Sequence, residues 1–307
     1  MARPRFVLVL SENWTLTPPR DLPALVGLAV EAERAGFDGV MVSEHVALGR
    51  DARAHGPPAN PREYALPGNQ EPATPWPSSL LLLAAVAAAT SRLRLIASAV
   101  IAPLRHPLLL GKELATLDLL ASGRLVVQPT VSWHRAEYEA LDVPFGSRGE
   151  LLDEHLAAWG VLWRDGPASY AGRHYRFAEV WSEPKPFRPG GPALWFGGER
   201  LHRRLLDRIV ARGQGFNPLG RPDPADLDRL RAELAAAGRD PDGLELVGGV
   251  RGRFATADGV ADLDEALAAV GPQRELGFTT FCVKPSQFTD DPGKVGALCR
   301  TVVERDW

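Results

Sequence analysis

Cysteine is nearly missing from this chain: Cys282 and Cys299 are the only two in 307 residues. Two thiols cannot build a disulfide framework, and their spacing is that of neither a zinc site nor a redox pair. The expectation is two buried thiols in a reducing compartment. An excess of charge of one sign is missing too. Thirty-five Lys and Arg stand against 38 Asp and Glu, a formal net of −3. The arginines are spread along the chain, so no field gathers nucleic acid or an anionic membrane. The apolar stretch Leu80 to Ala89 is about half the ~20 residues that a membrane span needs. The opening MARPRFVLVL has too short an apolar run for a signal peptide. These absences predict a cytoplasmic protein whose partner is a small molecule, with neither nucleic acid nor membrane.

Several catalytic signatures are also lacking. There is no G-x-S-x-G, no phosphate-cradling P-loop, and no histidines and carboxylates at metal-ligand spacing, so no metal is expected. A dinucleotide fold should show a glycine-rich turn after its first strand. Here that turn is SENWTLTPPR, without a glycine.

What is present is an alternation. An apolar fraction of 45% with 24% charged residues is that of a soluble globular protein. Short β-rich runs at Phe6 to Leu10, Gly39 to Ser43, Leu93 to Ala99, Arg124 to Thr130, Ala193 to Gly197, Gly213 to Phe216, Leu244 to Val250 and Thr279 to Lys284 make eight strands. Between them lie helical segments: Asp21 to Ala35, Ser78 to Thr90, Pro107 to Ala121, Arg148 to Trp163, Arg200 to Arg212, Pro224 to Ala237, Leu263 to Glu275 and Pro292 to Val303. Repeated β then α means parallel strands covered by helices. Eight repeats in a chain of this size predict an α/β protein, a (β/α)8 TIM barrel forming one domain over residues 1–307. Two connections, at about 46–77 and 165–192, are far longer than βα units usually need; both are rich in proline, glycine and aromatics and are expected to wall or lid a pocket.

A barrel builds its active site from the loops at the carboxyl ends of its strands. The run VMVSEHV, residues 40 to 46, ends the second strand with an acid and an imidazole side by side. Glu44 and His45 therefore stand where chemistry belongs.

Several blocks then read together: SEHV after strand 2, PWP before helix 2, TSRLRL into strand 3, PLRHPLLLGKELATLDLLASGRL through helix 3, WHRAEYEALDVPF after strand 4, EPKPF in the second insertion and LWFGG at strand 5. In order and spacing, from Phe6 to about Gly215, they resemble the luciferase-like monooxygenase superfamily, and within it the branch of deazaflavin-dependent (coenzyme F420) oxidoreductases. The resemblance implies a luciferase-like insertional barrel that holds F420 or FMN at the strand carboxyl ends. It also implies hydride transfer, or oxygen activation in flavin members, and a homodimer.

Residue by residue, the resemblance places His45 over the reactive edge of the cofactor as a proton donor, an imidazole being suited to that near neutrality. Glu44 then orients the imidazole, holds a cation such as Arg50, or is simply solvated. Ser98 and Ala99 fall where the family often has a bulge with a cis non-proline peptide behind the cofactor ring. Gly197 and Gly198 would end strand 5 and open a helix whose amino end binds phosphate. Trp133 packs on the cofactor or the insertion; independently of the resemblance, Asn13 and Trp14, in the loop after strand 1, either contact substrate or form a plain loop.

The chain also departs from the family. Glu199 and Arg200 replace the usual Asn and Ser after the glycines, and Arg200 is then the residue left to hold an anion. In strand 4 the usual G-x-G-x-G-W becomes QPTVSW, Gln128 to Trp133, so Thr130 and Ser132 line a narrower cofactor site; Ile96 points the same way. The expected activity is that of an F420-dependent oxidoreductase acting on a small organic substrate. An FMN-dependent luciferase-like monooxygenase is the first alternative. The second is a barrel that has lost its redox cofactor and acts as a binding protein or non-redox enzyme. Tyr64, Trp76, Trp14 and Trp181 suggest an apolar pocket wall.

Overall fold

The computed structural model describes residues 3–307. Ten strands form: β1 (Arg5–Val9), β2 (Gly39–Val42), β3 (Arg94–Ile101), β4 (Leu125–Thr130), β5 (Ala168–Ala171), β6 (Arg176–Val180), β7 (Ala193–Gly198), β8 (Gly215–Pro218), β9 (Glu245–Val250) and β10 (Phe278–Val283). Eight of them close a parallel barrel in the order β1-β10-β9-β8-β7-β4-β3-β2, while β5 and β6 pair antiparallel as a separate hairpin in the second insertion. The first insertion stays irregular apart from a short 3-10 turn at Arg50–Arg53.

The helices are α1 (Leu22–Arg34), α2 (Ser79–Ala89), α3 (Pro107–Leu120), α4 (Arg135–Ala140), α5 (Arg148–Leu162), α6 (Arg203–Arg212), α7 (Pro224–Ala236), α8 (Leu263–Leu267), α9 (Val270–Glu275) and α10 (Val295–Glu304). Their starts are set by local chemistry. Asp21, His106, Asp223 and Asp262 each accept a backbone N–H from the first turn, and proline stands at a first-turn position of α1, α3 and α7. The helix expected over Leu263 to Glu275 is broken in two. Pro272 lacks a donor and its ring crowds the carbonyl four residues earlier, at Ala268, which is where α8 stops.

Alternation along each strand divides the core. Phe6, Leu8, Val40, Leu95, Val127, Phe196 and Phe281 pack outward against the helices in one large cluster. The residues between them, Val7, Val9, Met41, Ile96, Val126, Trp195, Val247 and Cys282, form a second cluster inside the barrel. Trp195 is fully buried there, and a Cβ at Gly215 would stand 2.3 Å from its ring. Glycine at the start of β8 is therefore what lets an indole fill the interior. Burial also pushes the thiols of Cys282 and Cys299 up to about 12, so both stay protonated.

The amino-terminal end of the barrel is closed by charge. Arg94 makes two hydrogen bonds to Glu245 (2.7 and 2.9 Å) and lies over the Trp195 ring, with Thr280 and Arg5 completing the network. Among the described residues no helix is long and apolar enough to cross a membrane.

Candidate active site

His45 leaves the carboxyl end of β2 and meets a carboxylate from a distant element. Its Nδ1 stands 2.5 Å from Oε1 of Glu137 on α4, and the other oxygen, Oε2, accepts the backbone N–H of Val46 at 3.0 Å. Glu137 is fully buried. An ionised carboxylate only accepts hydrogen bonds, so Nδ1 carries the proton and Nε2 is left as the exchangeable nitrogen. At Nε2 the hydrogen-bond neighbour is the side-chain amide of Gln70, at the 3.5 Å limit.

Rings enclose this pair. Trp76 (5.1 Å between centroids), Trp133 (5.8 Å) and His134 (6.4 Å) all meet His45 edge to face, and Trp14 meets Trp76 the same way at 5.6 Å. His134 is not the solvated cap that its place at the start of α4 suggests. It is fully buried, and its Nε2 accepts the N–H of Gly49 at 2.6 Å. Its Nδ1, Nε1 of Trp76 and Oε1 of Gln70 are buried without a protein partner. Three orphaned polar atoms around one imidazole call for a polar ligand or ordered water, since a buried unpaired group costs about 1–3 kcal/mol.

Glu44 does not serve this imidazole. Its carboxylate takes two hydrogen bonds from Arg105 (2.7 and 3.1 Å), one from the Ser79 hydroxyl (2.7 Å) and one from the N–H of Ile101 (3.0 Å). Every strong acceptor direction is used. Glu44 clamps the ends of β2 and β3 to the start of α2, and its cation is Arg105, not Arg50. The carboxylate that orients His45 is Glu137, which lies within WHRAEYEA, residues 133 to 140, where nothing in the spacing marks it.

The third strand carries the expected distortion. The Ser98–Ala99 peptide is cis, and the β3–β4 register slips between Ser98 and Val100, leaving Ala99 unpaired and half-buried. The Ser98 hydroxyl donates to Oε1 of Gln128 at 3.0 Å, and the Asn217 amide donates to the same oxygen at 3.0 Å. Gln128 thus spans the interior from β3 to β8. Its amide also occupies the space a side chain at position 197 would need, since a Cβ on Gly197 would lie 2.5 Å from its Nε2.

That layer corrects the expectation that the two glycines open a helix. Gly197 faces Gln128 and Gly198 faces Leu205, whose Cδ2 would lie 2.9 Å from a Cβ there. Neither glycine opens a helix: α6 begins at Arg203, and His202 accepts the Leu205 N–H at 3.2 Å, using one of the free donors of that amino end. Glu199 and Arg200 are exposed beyond β7. Thr130 and Ser132 are half-buried at the end of β4; Ser132 has φ +56° and its hydroxyl accepts the His134 N–H at 3.3 Å.

Asn13 and Trp14 separate. The Asn13 amide donates to the carbonyls of Val9 and Ser11, and its oxygen accepts the Ser286 N–H, so it is buried and ties loops together. Trp14 keeps its place in the wall with Trp76. Trp181 is 66% exposed and takes no part.

The end of β10 brings a residue that the sequence reading passes over. Lys284, fully buried, lies over the rings of Tyr64 and Trp14, donates to the Glu63 carbonyl at 2.7 Å and stands 3.6 Å from Glu12. Burial pulls its ammonium below the ordinary value, against an upward pull from Glu12. An apolar groove of about 490 Å³ lies elsewhere, outside the barrel between α1 and α2, and none of the polar groups around His45 lines it.

Residues 4–278 match the profile of the family described as luciferase-like monooxygenase. An uncharacterized protein of Mycobacterium tuberculosis (strain ATCC 25618 / H37Rv) is 35% identical over 216 residues, covering 68% of this chain and 73% of its own. The FMNH(2)-dependent dimethylsulfone monooxygenase of Pseudomonas putida is 27% identical over 208 residues, 65% of this chain and 56% of that one. Among solved structures, the coenzyme F420 dependent tetrahydromethanopterin reductase from Methanopyrus kandleri superposes with a TM-score of 0.72 at 14% identity over 99% of both chains, a likeness of fold.

Proposed function

The chain belongs to the luciferase-like monooxygenase family, and from that premise we propose that it is an oxidoreductase that moves hydride between coenzyme F420 and a small organic substrate. The observation that carries the proposal is the His45–Glu137 pair at the barrel mouth, 2.5 Å apart and walled by Trp76 and Trp133.

The residues present suit the ring end of such a cofactor. Orphaned polar atoms of Gln70, Trp76 and His134 gather around His45, and Ala99, Thr130, Ser132 and Trp133 are half-accessible on the same rim. These residues would hold the ring. Bound F420 would supply two-electron redox chemistry at its central ring. His45 supplies the proton: Glu137 holds Nδ1–H, which leaves Nε2 to give up and regain a proton. Trp76 and Trp133 pack edge to face on the imidazole and hold the ring in place.

For the charged end, the glycine pair offers no notch, and arginines replace it. Arg200 follows β7 and Arg221 follows β8; both are exposed and neither joins an ion pair among the described residues. They suit the long acidic tail of F420. FMN is the second reading, favoured by the name of the Pseudomonas putida relative. Fluorescence titration with F420 and with FMN decides between them, and F420 is expected to bind more tightly. Uptake of neither at high micromolar concentration would sink the redox reading and leave a barrel whose interior Gln128 has closed to cofactors.

A further inference from the structure

The first insertion is fastened across the barrel mouth by two side chains that the redox chemistry does not use. Lys284, from the end of β10, donates to the Glu63 carbonyl at 2.7 Å, and Glu12, just past β1, accepts the Ala65 N–H at 2.7 Å. The two are themselves 3.6 Å apart. Glu12 adopts φ +65°, a conformation that a residue with a side chain holds only where its surroundings enforce it. Further ties flank the pair: Arg62 bonds Asp290 through two nitrogens, Asn60 donates to the carbonyls of Thr256 and Gly259, and the Gln287 amide reaches the Arg62 carbonyl.

Beyond Ala65 the segment is braced within itself. Asn69 accepts the Leu66 N–H at 2.6 Å, its backbone N–H reaches the Leu66 carbonyl, and the Gly68 carbonyl accepts the His55 N–H at 2.7 Å. The next residue is Gln70, whose amide stands at Nε2 of His45. Residues 60 to 70 therefore form a stiff strap, pinned at one end and touching the imidazole at the other.

We infer that Lys284 and Glu12 are positioning residues that, by clamping this strap, set Gln70 on the exchangeable nitrogen of His45. The inference rests on the proposed role of His45, but its test needs neither cofactor nor turnover. Lys284→Met alone leaves Glu12 buried without a partner charge and can cost the fold; the double variant Glu12→Gln with Lys284→Met removes both charges and carries the test. Hydrogen exchange read by mass spectrometry should show amides of residues 63 to 70 exchanging about tenfold faster in the double variant. Long-range nitrogen NMR should show the His45 Nε2 resonance moved. Gln70→Leu should move that resonance with strap exchange unchanged. Wild-type protection of the strap in a folded double variant overturns the inference. So does an Nε2 resonance unmoved in either the double variant or Gln70→Leu.

Discussion

Glu137 reaches His45 across 92 residues of chain and holds its Nδ1 at 2.5 Å from a fully buried carboxylate oxygen. The pairing makes one ring nitrogen a fixed donor and frees the other. The acid is supplied by α4, a six-residue helix directly after β4, so the loop that ends one strand orients the imidazole that ends another.

Replacing Glu137 by Gln keeps the shape and removes the carboxylate that holds Nδ1 of His45. Turnover of the F420-loaded protein is expected to fall about 10²-fold, and that of His45→Ala about 10³-fold, with the substrate KM little changed in both. Steady-state absorbance assays check this. Wild-type rates in Glu137→Gln would separate the carboxylate from the chemistry.

Glu44→Ala is expected to act on stability instead. It strands Arg105 and the Ile101 N–H beside a hole, and should cost about 3 kcal/mol. The urea midpoint should fall, while the His45 ring resonances stay in place. A variant as stable as wild type contradicts the clamp.

The two glycines of β7 should differ. A Cβ at Gly197 meets the Asn217 carbonyl at 2.8 Å as well as Gln128, and backbone cannot retreat, so Gly197→Ala is expected to cost about 1–3 kcal/mol. At Gly198 the nearest atom is the tip of Leu205, which turns aside, and the cost should stay below about 1 kcal/mol. Equal unfolding midpoints for the two variants would rule out the filled interior at Gln128.

Acid should weaken the barrel floor. Burial alone would raise the Glu245 carboxyl, but hydrogen bonds from Arg94 and Thr280 and the charges of Arg94 and Arg5 outweigh it and hold it below the usual range. Its stabilising contribution is therefore complete above the unfolded value of about 4.3 and is lost as pH falls through the folded one. Glu245→Gln should flatten the fall in urea midpoint below about pH 4. An acid limb of unchanged slope refutes it.

The barrel was largely legible in the sequence because its strands are continuous apolar runs and its helices carry proline and capping residues at their starts. Leu93 to Val100 reads as a buried strand whatever lies around it. The Ser98–Ala99 link and the place of His45 came with the family resemblance. What stayed hidden depends on contacts between distant segments. Glu44 sits beside His45 in the chain but points to Arg105, a partner 61 residues further on that no local spacing marks. Glu137 looks like any helix glutamate until α4 docks on the 46–53 loop. Lys284 reads as the polar end of a strand, and only the strap across it turns it into a buried anchor.

The amide of Gln128, held between Ser98 and Asn217, marks a waterline inside the cylinder. Beneath it Trp195, Ile96 and Met41 are ballast, and the arginine and glutamate of the floor seal the hull. Above it the polar groups of His45, Gln70 and His134 stand among tryptophans. Apart from the Glu44 clamp, substitutions on the upper side can retune what the vessel carries with little effect on what keeps it afloat, so thermal resistance and choice of cargo can evolve largely apart in this chain.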